Sequence, residues 1–302
     1  MRARENARPG RRNEAVARPR TRARSEVELL LHHAVRLTQP PPRRRAVFRA
    51  PPAALVRPRR NPLRRNPIRA YRAGVDVDLV VPGLYHLRPD FGQAYLWLDG
   101  RSATLIDTGT VGSGPAITAL LTELDVELDR IVLTHGHEDH VGSAAELRAA
   151  TGAPVLAHAG DVAVIQGEQP RPDPVLLDWE RPLFDSITPN VPPHPPCPVD
   201  QEIAEGDVLD FGGGARVLSI PGHTDGSIAI HLSRSRTLFT GDTIAHFGEV
   251  VLGTFNLDRA QAVESFRRLA ELDTEVACFG HGEPITRNAG AELRAAAAKL
   301  ND

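Results

Sequence analysis

Four potential metal ligands crowd into six consecutive positions: His135, His137, Asp139 and His140, in the stretch THGHEDHVG that follows the apolar run Ile131, Val132, Leu133. Imidazole and carboxylate groups are donors suited to zinc and its neighbours, and a loop leaving a buried strand can turn all of them toward one point. The spacing excludes the helical H-E-x-x-H pattern, because the histidine after His137-Glu138 comes at position 140, one residue too early for an i, i+4 pair. The cluster therefore reads as a loop at the end of a strand, and the rest of the chain has to supply such strands.

It supplies them in both halves. Residues 75–81 and 84–88 flank a Pro82-Gly83 turn, and QAYLWLDGRSATLID alternates around Asp99-Gly100, the strongest local hairpin signal in the chain. The second of these runs ends at Asp107. Helices are predicted at 114–124, with Pro115 in the first turn, at 143–150, closed by Gly152, and at 160–167, with strands at 129–133 and 154–158 between them. Residues 202–214 have hairpin character, 216–243 alternate strands with turns, 258–271 form an amphipathic helix, and 276–279 a strand. Residues 292–300 form the closing helix. A sheet sandwich covered by helices on its outer faces satisfies this order, and its strand ends can converge on one edge. Between them, residues 167–199 hold ten prolines, Trp179 and Phe184. They read as a long insertion without regular structure, either a wall of the substrate site or a surface excursion.

Three more ligand candidates stand at the ends of later apolar runs, each directly after a glycine: His223 in PGHTDGS, Asp242 in FTGDT and His281 in FGHGE. Singly each is weak, since a lone His is ordinarily a surface or satisfied core residue and a lone Asp after Gly is ordinarily a turn. With the first cluster they make seven, enough for two ions sharing one carboxylate.

Charge divides the chain. Residues 1–70 carry twenty Arg and no Lys against four Glu, a net of +16, which leaves 16 basic and 34 acidic residues, a net of -18, for the rest. The Pro/Arg-rich extension 1–70 is expected to be disordered, and the folded body is expected to begin near Val75. Three readings of the extension stay open: a nucleic-acid or anionic-surface arm, a targeting peptide, or a passive segment. Its aromatic content is Phe48 alone and it carries no reading motif, so nucleic acid is not the expected partner. Cys197 and Cys278 share no CxxC spacing and cannot make a disulfide framework. No apolar run is long enough for a membrane span, so no membrane partner is expected and cytoplasmic residence is the expectation. The sequence does not bear on oligomeric state.

THGHEDHVG, PGHTDGS, GDT and GHG, in this order, resemble the metallo-beta-lactamase fold superfamily, in the branch of hydroxyacylglutathione hydrolases and acyl-homoserine lactonases, over residues 75–302. The resemblance implies an α/β fold, a four-layer alpha/beta/beta/alpha sandwich, with two divalent metal ions, zinc being the expected element. It implies His135, His137 and His223 on the first ion and Asp139, His140 and His281 on the second, with Asp242 bridging and Asp107 orienting the ligand loop. The implied activity is hydrolysis of a small ester, lactone or thioester by a metal-bridging hydroxide, with Asp139 and Asp242 as the catalytic carboxylates. Asp242 argues against beta-lactamase activity, because true beta-lactamases of the superfamily fill that position otherwise. About twenty residues follow His281, too few for the helical region that binds glutathione in the thioesterase branch, so a glutathione thioester is not expected. The lactonase tyrosine shortly after the bridging aspartate is replaced here by Thr243, Ile244, Ala245 and His246. Trp179, Phe184, His246 and Phe247 are the candidates for the substrate pocket. The rival reading is a nucleic-acid-associated metalloprotein anchored by the Arg-rich tail.

Overall fold

Most strands of this chain are apolar on both faces, so the alternation of side chains along each strand deals its hydrophobic residues into separate layers. A computed structural model describes residues 70–72 and 74–300. The arginine-rich stretch 1–69, with the readings attached to it, lies outside the described residues.

The first sheet has eight strands in chain order: β1 (Ala70–Arg72), β2 (Val75–Val81), β3 (Leu84–Arg88), β4 (Ala94–Asp99), β5 (Ser102–Ile106), β6 (Glu127–Val132), β7 (Val155–His158) and β8 (Gln201–Ile203). β1 to β5 are antiparallel and β5 to β8 parallel. Parallel neighbours need crossovers. Helices α1 (Gly114–Leu124), α2 (Glu138–Val141), α3 (Ala144–Thr151), α4 (Ala159–Ile165) and α5 (Glu180–Ile187) lie within them. The second sheet begins with β9 (Val208–Leu209), β10 (Ala215–Ser219), β11 (Ile228–Leu232) and β12 (Thr237–Phe239). A two-stranded ribbon follows, β13 (Ile244–His246) with β14 (Val250–Leu252), then α6 (Arg259–Ala270), β15 (Val276–Cys278) and α7 (Ala289–Ala297). β15 joins the second sheet parallel to β12.

Leu105, Ile131 and Leu133 face Ile117, Leu120 and Leu147 of α1 and α3. Their neighbours Ile106 and Val132 point the other way, into a core shared with Val217, Ile230, Phe239 and Cys278 of the second sheet. On the outer face of that sheet Leu218, Leu238 and Ala277 pack on Phe266 and Leu269 of α6 and Leu293 of α7. The result is the alpha/beta/beta/alpha sandwich. Each fully buried Leu or Ile in these layers is worth roughly 1.5–3 kcal/mol of apolar transfer. The buried Tyr95 hydroxyl in the inter-sheet core is satisfied by Phe279: Tyr95 on β4 donates to its carbonyl at 2.9 Å and accepts from its amide at 3.1 Å.

Four expectations shift. A strand precedes Val75: β1 pairs with β2. The hairpin expected over 202–214 does not form: β8 pairs with β7 and β9 with β10, so the segment crosses from one sheet to the other. Alternation identifies strands and leaves their partners open. The insertion is not irregular throughout, since it holds α5 and a 3-10 turn at Thr188–Asn190. Pro182 is compatible with α5 because it sits in the first turn, where an amide has no intrahelical acceptor anyway. The closing helix begins at Ala289, three residues before the expected start.

Candidate metal centre

β6 delivers the first ligand loop. His137, in extended conformation, caps the short α2, whose first residues carry Asp139 and His140. The amide of Ile228 on β11 donates to the carbonyl of Thr134 at 2.9 Å, which joins this loop to the second sheet beside His223. The parallel pairing of β12 with β15 continues past the strands, with the amide of Gly280 donating to the carbonyl of Gly241 at 2.9 Å. That bond sets Asp242 beside His281. A Cβ on Gly280 would collide with the Asp242 carboxylate, so the glycine before His281 is required by this approach.

All seven candidates meet, in two groups whose ligand atoms lie within 4.8 Å of one another: His135, His137, His223 and Asp242 in one, Asp139, His140 and His281 in the other. In the first, Nδ1 of His137 lies 3.1 Å from Nε2 of His135 and 3.0 Å from Nε2 of His223. In the second, Nε2 of His281 lies 3.3 Å from Asp139 Oδ2, and Nε2 of His140 lies 3.8 Å from it. Asp242 stands between them. Its Oδ2 is 3.9 and 3.7 Å from Nε2 of His135 and His223 and 3.1 Å from Nε2 of His281, while its Oδ1 is 3.3 Å from Nε2 of His140.

The donor set fits cations. Nε2 of His140 and Oδ1 of Asp242 are buried and hydrogen-bond to nothing. Buried polar atoms of this kind normally have partners, and here they point into the ligand group. His140 donates Nδ1–H to Oδ2 of Asp107 at 2.9 Å, which commits its ring proton and turns Nε2 inward as a lone pair. Asp107 also accepts from Thr134, by its amide and by its hydroxyl, both at 2.7 Å. The Thr134 hydroxyl oxygen, 3.0 Å from Nδ1 of His135, fixes that ring in the same sense.

Burial lowers the pKa values of His135, His137 and His223, so these rings are neutral and able to ligate. Burial acts the same way on His140 and His281, but there the carboxylates outweigh it. Asp242, Asp139 and Asp107 raise His140 well above its ordinary value, and Asp242 and Asp139 raise His281 to about 10.

A family model described as the metallo-beta-lactamase superfamily matches residues 87–281. The chain belongs to that superfamily. It is 36% identical over 172 residues to a hydroxyacylglutathione hydrolase of Cereibacter sphaeroides, covering 56% of this chain and 54% of that protein. The chain thus spans about half the length of the hydroxyacylglutathione hydrolases it matches. It is 26% identical to the probable metallo-hydrolase YflN of Bacillus subtilis (strain 168), covering 78% of this chain and 97% of that one. Among solved structures, TTHA1623 in a di-iron-bound form is similar with a TM-score of 0.52 and 29% identity, over 67% of this chain and 93% of that one.

In this member of the metallo-beta-lactamase superfamily, a cavity opens directly on the ligand groups and is lined by His137, Asp139, Asp242 and His281. Trp179, Phe184 and Phe247 line it too; His246 does not. Its ring lies against Phe279, with Nδ1 2.6 Å from the carbonyl of Glu283. Alternation along β13 accounts for His246: Ala245 lines the cavity, and the next residue of the strand faces the opposite way.

Sequence reasoning missed Asp161. This buried carboxylate accepts from the amide of Gly136 at 2.7 Å, the hydroxyl of Thr224 at 2.7 Å and the amide of Gly226 at 3.0 Å. It ties the loop of His135 and His137 to the loop of His223. A Cβ on Gly226 would come within 2.5 Å of its Cγ. An acidic residue in the first turn of a helix is ordinary dipole chemistry, so nothing in DVAVI marks it out. Arg171, Phe91 and Phe255 of the cavity wall were missed as well. Among the described residues, no helix is long and apolar enough to cross a membrane.

Proposed function

We propose that the protein is a metal-dependent hydrolase of a small ester, lactone or thioester. One observation carries the reading: the Asp242 carboxylate faces both ligand groups at once. His135, His137 and His223 would hold one divalent ion and Asp139, His140 and His281 the other, zinc being the expected element and iron its competitor, as in the di-iron form of TTHA1623. Two ions so placed supply a Lewis acid for a carbonyl oxygen and an activated water near neutral pH. The chain's own residues do the rest. Asp242 offsets the repulsion between the cations. Asp107 holds the His140 ring in the ligating tautomer, and Asp161 holds the two histidine loops in register. Asp139 reaches the cavity and is placed to pass a proton to the leaving group. The hydrolase names of the relatives agree with this reading.

Elemental analysis of purified protein, combined with a panel of lactones, thioesters, esters and phosphodiesters, tests it. Two equivalents of metal and turnover confined to the carbonyl compounds are expected. A single iron, or turnover of phosphodiesters alone, overturns it.

A further inference from the structure

We infer that the cavity beside the metal centre takes an uncharged, apolar acyl chain, and that the insertion 167–199 is the element that selects it. The inference rests on the hydrolase reading for its reaction and on the cavity wall for its specificity.

The wall is apolar on two sides. Trp179, Phe184 and Ile187 come from the insertion, and Phe247, Val251 and Phe255 come from the β13–β14 ribbon and the loop after it. The insertion is fastened in place across the cavity. The amide of Val175 donates to the carbonyl of Asn256 at 2.9 Å. Glu180, only 2% exposed, accepts from the amides of Leu177 at 2.9 Å and Phe255 at 3.3 Å. Phe184 meets Phe255 edge to face at 5.2 Å between ring centres. A pocket already formed in this way selects shape without first ordering a loop.

Charge narrows the choice further. Among the described residues, and apart from the candidate ligand histidines, Arg171 is the one cationic side chain lining the cavity, and its Nη1 lies 3.2 Å from Oε2 of Glu138, with Cζ 5.8 Å from the Phe184 ring centre. That guanidinium is already neutralised. Asp90 adds an acidic group to the same lining. An acyl group ending in a carboxylate would lose its hydration, find no free cation among the described lining residues and meet a negative rim. An alkyl chain loses only water contact that it does not favour.

Hydroxamates separate binding from turnover, because their head group chelates the metal centre and is not hydrolysed at an ester bond. The metal-loaded full chain is titrated with acetohydroxamate, octanohydroxamate and the monohydroxamate of octanedioic acid, by calorimetry and by tryptophan fluorescence. Octanohydroxamate is expected to bind at least tenfold more tightly than either of the others. Trp179→Ala and Phe184→Ala should each shrink the advantage over acetohydroxamate to about threefold or less with metal content unchanged. Ile187→Lys should strengthen binding of the carboxylate-ended probe. A flat series, a preference for the carboxylate-ended probe, or variants that leave the advantage intact overturns the inference. Octanohydroxamate preference in a protein that cleaves no ester would sink the hydrolase reading and keep the acyl site. Turnover of acetyl, octanoyl and carboxylate-ended esters at equal kcat/KM, with a flat hydroxamate series, would do the reverse.

Discussion

Asp161 and Asp107 each accept three hydrogen bonds from the loops that carry the ligands, and both are buried. Across the cavity the insertion is tied to the ribbon side by one main-chain bond, one bond from Phe255 to a carboxylate and an aromatic pair, and to the ligand loop by the Arg171–Glu138 ion pair. The two walls are built to different tolerances. Metal ligands must sit within about 0.2 Å of their bonding distances, so the loops that bear them are held by buried charge-assisted hydrogen bonds. An alkyl group is recognised by area, which tolerates small displacements, and weaker fastening serves.

The largest effect should come from the residue both ligand groups share. Asp242→Asn keeps the shape and loses the charge, and should lower kcat/KM at least about 10- to 100-fold, the range seen when the groups supporting a metal site are lost. Two firmly held ions with activity within about threefold of wild type, well inside the tenfold that 1.36 kcal/mol represents, would defeat the bridging role.

Asp161→Ala comes next. It strands the Gly136 and Gly226 amides and removes one partner of the Thr224 hydroxyl, which keeps Ser227, at about 1–3 kcal/mol for an unsatisfied buried group. Metal affinity in the His135, His137 and His223 group should fall about tenfold or more, and Asp161→Asn should recover part of it, since its carbonyl oxygen still accepts. Chelator competition decides; a lower Tm with unchanged metal affinity would reduce Asp161 to a structural tie.

On the other wall, Glu180→Ala should raise KM about 3- to 10-fold, equivalent to the roughly 0.5–1.5 kcal/mol net of a typical hydrogen bond, with kcat and metal content close to wild type. A collapse of kcat would show that the insertion also positions the reacting bond.

The smallest effect belongs where the insertion rejoins the sheet. The hydrogen bonds from Arg148 pull Asp200 down to about 2, with a further bond from the Val155 amide. A depressed carboxylate stabilises fully above its unfolded pKa of about 3.9 and loses that contribution as pH falls through its folded value. Asp200→Asn in metal-free protein should therefore cost about 1 kcal/mol or less near neutrality, because the pair is solvent-exposed, and the difference should close as pH approaches about 2. Urea titrations at several pH values read it out.

Much of this architecture was legible in the sequence where a physical rule ties residue to place. Helix 114–124 follows from its apolar spacing and Pro115, and the ligand positions follow from strands that end in His or Asp. That His246 turns away from the cavity while Ala245 faces it needs β13 to be known as a strand. The sheet-to-sheet crossing at 201–209 needs knowledge of partners. Asp161 needs three loops folded together, and its own neighbourhood looks like any helix start. Local rules specify elements; they do not specify which distant backbone amides will want an acceptor.

Tyr95 bears on the order in which this molecule can be made. Its hydroxyl grips Phe279 across 184 residues of chain. Closing so long a loop costs only slightly more entropy than closing one half its length, about 0.6 kcal/mol, so the constraint is temporal. A chain emerging from the ribosome N-terminus first has the His135 loop in solution well before His281 exists, and contacts this far apart form late. The second ligand group can close only on a polypeptide that has already brought its two sheets together, so that group serves as a seal on a finished fold and cannot act as its nucleus.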